Sequence, residues 1–268
     1  MTDLRSDTRG ALLARRPAHA VMHACLRAAA GAEPQTRLAR LLGAHPLPED
    51  ARSWYTGALG ERTVAAELDR LGGGWHVLHA LPVGRGSADL DHLVVGPAGV
   101  FSINTKHSPG RRVWVGGRAV LVDGHRQHWL RAAEAEARHV RRALDPEDLT
   151  LVRPLIAVVG ARLTVQEDPV EVRVLEARQL VRWLQRQPAR LAPDAVERLA
   201  ARAGDPAHWR AEREEQRGDP MPAFARLEEA VGAAERRRRG LTAAGSIALT
   251  GAVVSLPLWV QGLLALLR

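Results

Sequence analysis

Two acids, one amide and one lysine stand at spacings that can bring them together. Asp89 and Asp91 lead into the apolar run Leu93–Val95, and Asn104 and Lys106 end the run that starts at Val100. Between the runs lies Gly96-Pro97-Ala98-Gly99, a turn signal. A symmetric turn centred between Pro97 and Ala98 sets Asp91 opposite Asn104 and Asp89 opposite Lys106. Side chains alternate with period two, so these four share one sheet face, while Leu90, Phe101 and Ile103 suit burial on the other. One bulge would break this register. Carboxylate and amide oxygens suit a hard cation such as Mg²⁺ or Mn²⁺. Such an ion activates water and neutralises a phosphate in transition. A lysine orients that water or stabilises the developing charge.

The lysine is singular. Of 38 basic residues, Lys106 is the one lysine and the rest are arginine. Asn104 is the sole asparagine, and Ile103 is one of three isoleucines. These three residue types have A/T-rich codons, so their scarcity points to a G+C-rich genome. Their gathering in Ile103-Asn104-Thr105-Lys106 runs against that drift. Arginine is a planar fork that keeps its proton, whereas lysine is a compact charge with an adjustable pKa.

The elements that must position this hairpin read as an α/β fold. Residues 57–71 are amphipathic, with Val64, Leu68 and Leu71 at helical spacing and Gly72-Gly73-Gly74 as the stop. Short β-type runs follow at 75–81, 90–95, 100–106, 113–115 and 119–122. The spacing predicts a long helix over 125–144 and a buried strand over 154–159, with further strands within 161–174. The order is helix, three strands, inserted hairpin, helix, strand. Residues 1–50 read as an Ala/Arg-rich helical extension. Residues 161–235 read as a mixed, mainly helical extension ending in a charged linker.

Composition sets outer bounds. The chain has 268 residues, 46% hydrophobic and 25% charged, which excludes wholesale disorder. Its single cysteine, Cys25, excludes an internal disulfide framework and, with the histidine spacing, argues against structural zinc. A net charge of +8 favours polyanions. No phosphate-binding GxxxxGK[ST] is present, and Gly84-Arg85-Gly86-Ser87 is too short for a phosphate fingerprint. The stretch 240–267 carries no charge over 28 residues, more than the ~20 that span a bilayer core. It follows Arg236–Arg239 directly, so the expectation is a single-pass C-terminal transmembrane helix with the N-terminal domain cytoplasmic. A buried hairpin is the competing reading.

Taken as a set, several features resemble the nuclease-related NERD domain over about 57–160. They are Gly60-Glu61 at a helix, Asp91-His92 before an apolar strand, Gly-Pro-x-Gly-Val-Phe at 96–101, and Thr105-Lys106. That family belongs to the PD-(D/E)xK restriction-endonuclease-like superfamily. The resemblance implies a core of helix, three strands, helix and strand. It also implies Mg²⁺- or Mn²⁺-dependent hydrolysis of nucleic-acid phosphodiesters, with DNA as the expected substrate. By position, Asp91 matches the metal-binding aspartate, Lys106 the motif lysine and Glu61 the acid of the first helix that can complete a metal site. Gln127 and Glu136 match polar positions of the later helix. Asn104 departs from the pattern: it occupies the glutamate position of an E-x-K triplet, offering a neutral oxygen in place of a charge. Arg111 and Arg112 on the inserted hairpin are candidate contacts to a nucleic-acid backbone. The alternatives are a catalytically degenerate nucleic-acid-binding module and a membrane interaction protein of the same fold.

Overall fold

The computed structural model describes residues 12, 15–33, 35–83, 89–145, 151–210 and 216–266, with backbone alone from 244 onward. The loop 84–87 therefore lies outside the described residues.

Helices α1 (His19–Ala30) and α2 (Arg37–Leu41) precede the long α3 (Glu49–Leu68). Helix α3 starts well before the expected position 57. Pro48 stands just ahead of it, and Glu49 and Asp50 in its first turn face the positive end of the helix dipole. Three strands follow: β1 (His76–Pro82), β2 (Asp89–Gly96) and β3 (Gly99–His107). Next come β4 (Arg112–Gly116), β5 (Ala119–Val122), β6 (His125–Gln127), α4 (Trp129–Leu144) and β7 (Val152–Val159). The remainder comprises β8 (Arg162–Glu167), β9 (Arg173–Glu176), α5 (Leu180–Gln185), α6 (Pro193–Ala203) and α7 (Met221–Leu266).

The strands form two sheets, ordered β1-β2-β3-β7-β9 and β6-β5-β4-β8. In the first, β1–β3 are antiparallel, while β7 joins β3 in parallel over eight residue pairs and β9 joins β7 in parallel. Helix α3 covers one face, where Val64 and Leu68 pack on Val94, Phe101, Ile103 and Leu155. Helices α4 and α6 cover the other, where Ala137, Val140 and Ala200 pack on Leu93, Val95 and Val100. With helices on both faces, the central strand β7 is an unbroken buried apolar run from Pro154 to Val159. The inner face of the second sheet (Val113, Val115, Val120) packs on Ile156, Val158 and the α4 residues Leu130 and Ala133.

One expected element is corrected. Residues 125–127 are strand, so Gln127 lies on β6 and the helix begins at Trp129. Asp123-Gly124, with φ of 48° and 86°, makes the tight turn of a β5–β6 hairpin. Asp-Gly is a strong hairpin signal, and it overrides the helical pattern that follows it.

Residues 26–52 and 221–268 form a second compact unit. Within it, Arg237 Nη1 donates to the carbonyl of Arg40 at 3.3 Å. Among the described residues, no helix is long and apolar enough to cross a membrane. The side chains of 244–267, most of the stretch expected to do so, lie outside the described residues.

Candidate active site

The β2–β3 hairpin pairs Gly96 with Gly99 and continues in the expected register to His92 opposite Ile103. There the ladder ends. Instead of a backbone pair at the next position, Asp91 Oδ2 accepts the Thr105 backbone N–H at 2.6 Å. The strands part at this point, and β3 continues alongside β7, with Asn104 beside Ile156 and Lys106 beside Val158. Across from Asp91, in β1, Ala80 adopts a positive φ of 50°. A non-glycine residue held in this region costs about 1–3 kcal/mol and is seen where surroundings over-determine it.

Helix α3 brings Glu61 to the parting strands. Its approach is set by Gly60: a Cβ there would lie 2.5 Å from the His107 Cβ. His107 Nδ1 donates to the Thr56 carbonyl at 2.7 Å, tying β3 to the same helix. Glu61 is buried, and the Ala18 backbone N–H donates to its carboxyl group. Burial raises its pKa well above the usual range; Asp91 and Asp89 add to the rise, while Lys106 opposes it.

From the opposite face of the sheet, helix α4 contributes Glu136. Asn104 Nδ2 donates to Glu136 Oε1 at 2.6 Å. Burial and the Asp91 charge raise the Glu136 pKa to about 8, against the pull of Lys106 and the Asn104 bond. Asp91 itself is raised to about 6 by burial, opposed by Lys106 and by its hydrogen bonding to Thr105. Lys106, half-buried, acts on all three carboxyl groups. Three acids thus interact electrostatically with one ammonium, an excess of two negative charges when all are ionised.

The structure brings together Glu61, Asp91, Asn104 and Lys106 and adds Glu136 as the partner of Asn104. Asp89 is engaged elsewhere: its carboxylate and Arg15 form a buried ion pair at 3.1 Å, so it is not the free neighbour of Lys106 that the hairpin register implies. Gln127, Arg111 and Arg112 sit on or beside the second sheet, with their polar partners there. Gln127 Nε2 donates to the His125 carbonyl, and Arg111 lies 3.9 Å from Asp123. Behind Asp91, His79 and His92 meet through their Nδ1 atoms at 2.8 Å, and burial holds both pKa values down. Neither the His pair nor the Asn104–Glu136 bond has a local sequence signal, because each joins residues of different elements.

The oxygens suit a hard divalent cation. Asn104 Oδ1 and Glu136 Oε2 are buried with no hydrogen-bond partner among the described residues, beside Asp91. A doubly charged ion matches the excess negative charge. Among the described residues, no three His, Cys, Asp or Glu side chains stand close enough together to form a ready-made metal site.

Comparison with known proteins adds one finding. Residues 56–159 match the NERD family, described as a nuclease-related domain. The match runs from the middle of α3 to the end of β7 and so contains Glu61, Asp91, Asn104, Lys106 and Glu136. Comparisons with curated proteins and with solved structures found no match.

Proposed function

We propose that this nuclease-related domain hydrolyses phosphodiester bonds of DNA in a metal-dependent reaction. The observation that carries the reading is the placement of Asp91, held by the Thr105 N–H, and of Glu136, held by Asn104, at the point where β2 and β3 part, on either side of which lie Asn104 and Lys106 of β3. Asp91, Glu61, Glu136 and the orphaned Asn104 oxygen do not form a ready-made metal site as they stand, and would have to draw together to hold Mg²⁺ or Mn²⁺. When bound, the ion supplies Lewis-acid activation of water and charge neutralisation at phosphorus.

The protein residues have separable tasks. Asp91 is fixed by the Thr105 N–H, so its second oxygen is presented in one orientation. Asn104 fixes Glu136 in the same way through one oxygen and leaves the other available. Lys106 places a compact positive charge next to these groups, suited to orienting a water or stabilising a phosphorane oxygen. Burial makes each of these interactions stronger than it would be in water.

The C-terminal stretch 240–267, uncharged and preceded by four arginines, completes the proposal as a single-pass membrane anchor with the catalytic domain on the cytoplasmic side. Membrane sedimentation that resists carbonate extraction tests the anchor.

The catalytic test incubates the full chain with plasmid and linear DNA in Mg²⁺ or Mn²⁺, beside Lys106→Ala and Asp91→Asn. Metal-dependent cleavage lost in both variants supports the proposal. No cleavage, or equal cleavage in all three, moves the reading to a module that binds nucleic acid without cutting it. That second reading draws on Asn104, which removes a charge from the strand position.

A further inference from the structure

The outer face of the second sheet is built differently from its inner face. Inward lie Val113, Val115, Val120 and Val122, all buried. Outward on β4 lie Arg112 and Trp114, both exposed. The strand register puts Arg162 beside Arg112, Thr164 and Leu121 on either side of Trp114, and Arg126 beyond Leu121. Cross-strand neighbours share a face, so these six residues form one continuous surface, with the Arg112–Arg162 pair at one end, the aromatic ring next to it, Arg126 to one side and the acid Glu167, register partner of Gly116, at the far end.

Two details suit this face to a ligand. First, the Trp114 ring lies over Gly116, two residues along the same strand. A Cβ on Gly116 would stand 2.1 Å from the ring. The missing side chain lets the indole fold down along the sheet, leaving it 38% exposed. Secondly, Arg112 and Arg162 are direct register partners on parallel strands. Side-by-side like charges oppose pairing and bring no benefit to the sheet itself. A polyanion converts that repulsion into attraction.

We propose that this face binds single-stranded nucleic acid, with a base stacked on Trp114 and the backbone phosphates held by Arg112, Arg126 and Arg162. Stacking on an aromatic side chain needs an unpaired base, because in a duplex both faces of each base are already covered. This assignment deepens the nuclease reading and rests on its nucleic-acid substrate, but not on its chemistry. The sheet is coupled to the active site by packing: its inner face contacts Ala133, one helical turn from Glu136.

The experiment measures binding of the full chain to a fluorescein-labelled oligo-dT and to a duplex of equal length. EDTA is present throughout, so cleavage plays no part. The expected result is preferential binding of the single strand. Trp114→Ala weakens it about tenfold or more, while Trp114→Phe retains most of it. Arg112→Gln with Arg162→Gln weakens it further and lowers the salt slope by roughly 1.4. Matching thermal melts for the variants show that the sheet is intact. Single-strand affinity unchanged in Trp114→Ala overturns the proposal, as does a preference for duplex that Trp114→Ala leaves unaltered. Self-association that rises with protein concentration and is lost in Trp114→Ala assigns the face to a second copy and also overturns it. In a parallel assay with Mg²⁺ in place of EDTA, binding without cleavage defeats the hydrolytic reading and leaves this one standing. Cleavage with no contribution from Trp114 does the reverse.

Discussion

Asn104 on β3 donates its amide hydrogen to Glu136 on α4, 32 residues later in the chain, across 2.6 Å. The strand position supplies a neutral donor, and the helix supplies the carboxylate. A site that lacks a carboxyl group along the strand therefore has one in space, carried by a different element.

This relationship predicts the outcome of a carboxylate transfer. Glu136→Gln should keep the fold, because its amide oxygen still accepts from Asn104. Under the proposed nuclease reading it should lower metal-dependent cleavage on the order of a hundredfold or more. Adding Asn104→Glu to that variant returns a carboxylate to the cluster and should recover much of the activity. Steady-state cleavage by the wild type, Glu136→Gln and the double variant checks this. A double variant no better than Glu136→Gln would show that the charge is needed at the helix position.

The raised carboxyl pKa values fix the sign of a pH effect in the metal-free protein. Glu136 at about 8 and Asp91 at about 6 bind protons in the folded state that the unfolded chain has released. Their neutral forms thus stabilise the fold fully below pH 4. That contribution is lost as pH rises through 6 and then 8. Stability in EDTA should fall between pH 5 and pH 8.5, and Glu136→Gln should flatten the upper part of that fall. Urea denaturation at stepped pH measures it.

Divalent ions should reverse the same trend. Mg²⁺ or Mn²⁺ should raise the melting temperature at pH 8 and do so less at pH 5.5, where protons compete for the carboxylates. At a hundred times its dissociation constant the ion contributes about 2.7 kcal/mol. Differential scanning calorimetry with Ca²⁺-free buffers tests this, and Asp91→Asn should show a smaller shift.

Gly60 should be intolerant of a side chain for a reason separate from chemistry. Valine there would press on the His107 Cβ and push α3 off the sheet, at about 1–3 kcal/mol. Because Glu61 is the next residue, activity should fall beyond what the lost stability explains. Gly73→Ala, where nothing lies within 4 Å, is the control and should be close to neutral. Denaturant midpoints together with cleavage rates at low temperature separate the two effects.

Local features of the chain determined the hairpin by themselves. Gly96-Pro97-Ala98-Gly99 sets the turn, and period-two alternation sets the faces as far as His92; beyond it Leu90, expected on the face of Phe101 and Ile103, packs with Leu93 and Val95 instead. The register from Gly96–Gly99 to His92–Ile103 follows without knowledge of the rest of the fold. Strand positions and the α/β order were legible for the same reason, since turn residues and periodicity act within a few residues. The strand at 125–127 was not read, because the positive-φ Asp123-Gly124 turn joins it to β5 while the residues after it continue a helical pattern. What the tertiary structure decided lies in contacts between distant elements. Arg15 pairs with Asp89, the Thr105 N–H fixes Asp91, and Glu136 arrives on a helix from the opposite face of the sheet to that which delivers Glu61. Residue type and spacing can nominate such side chains. Their meeting depends on how α3 and α4 pack on the two faces of one sheet, an energy summed over many buried contacts that no local stretch of sequence contains.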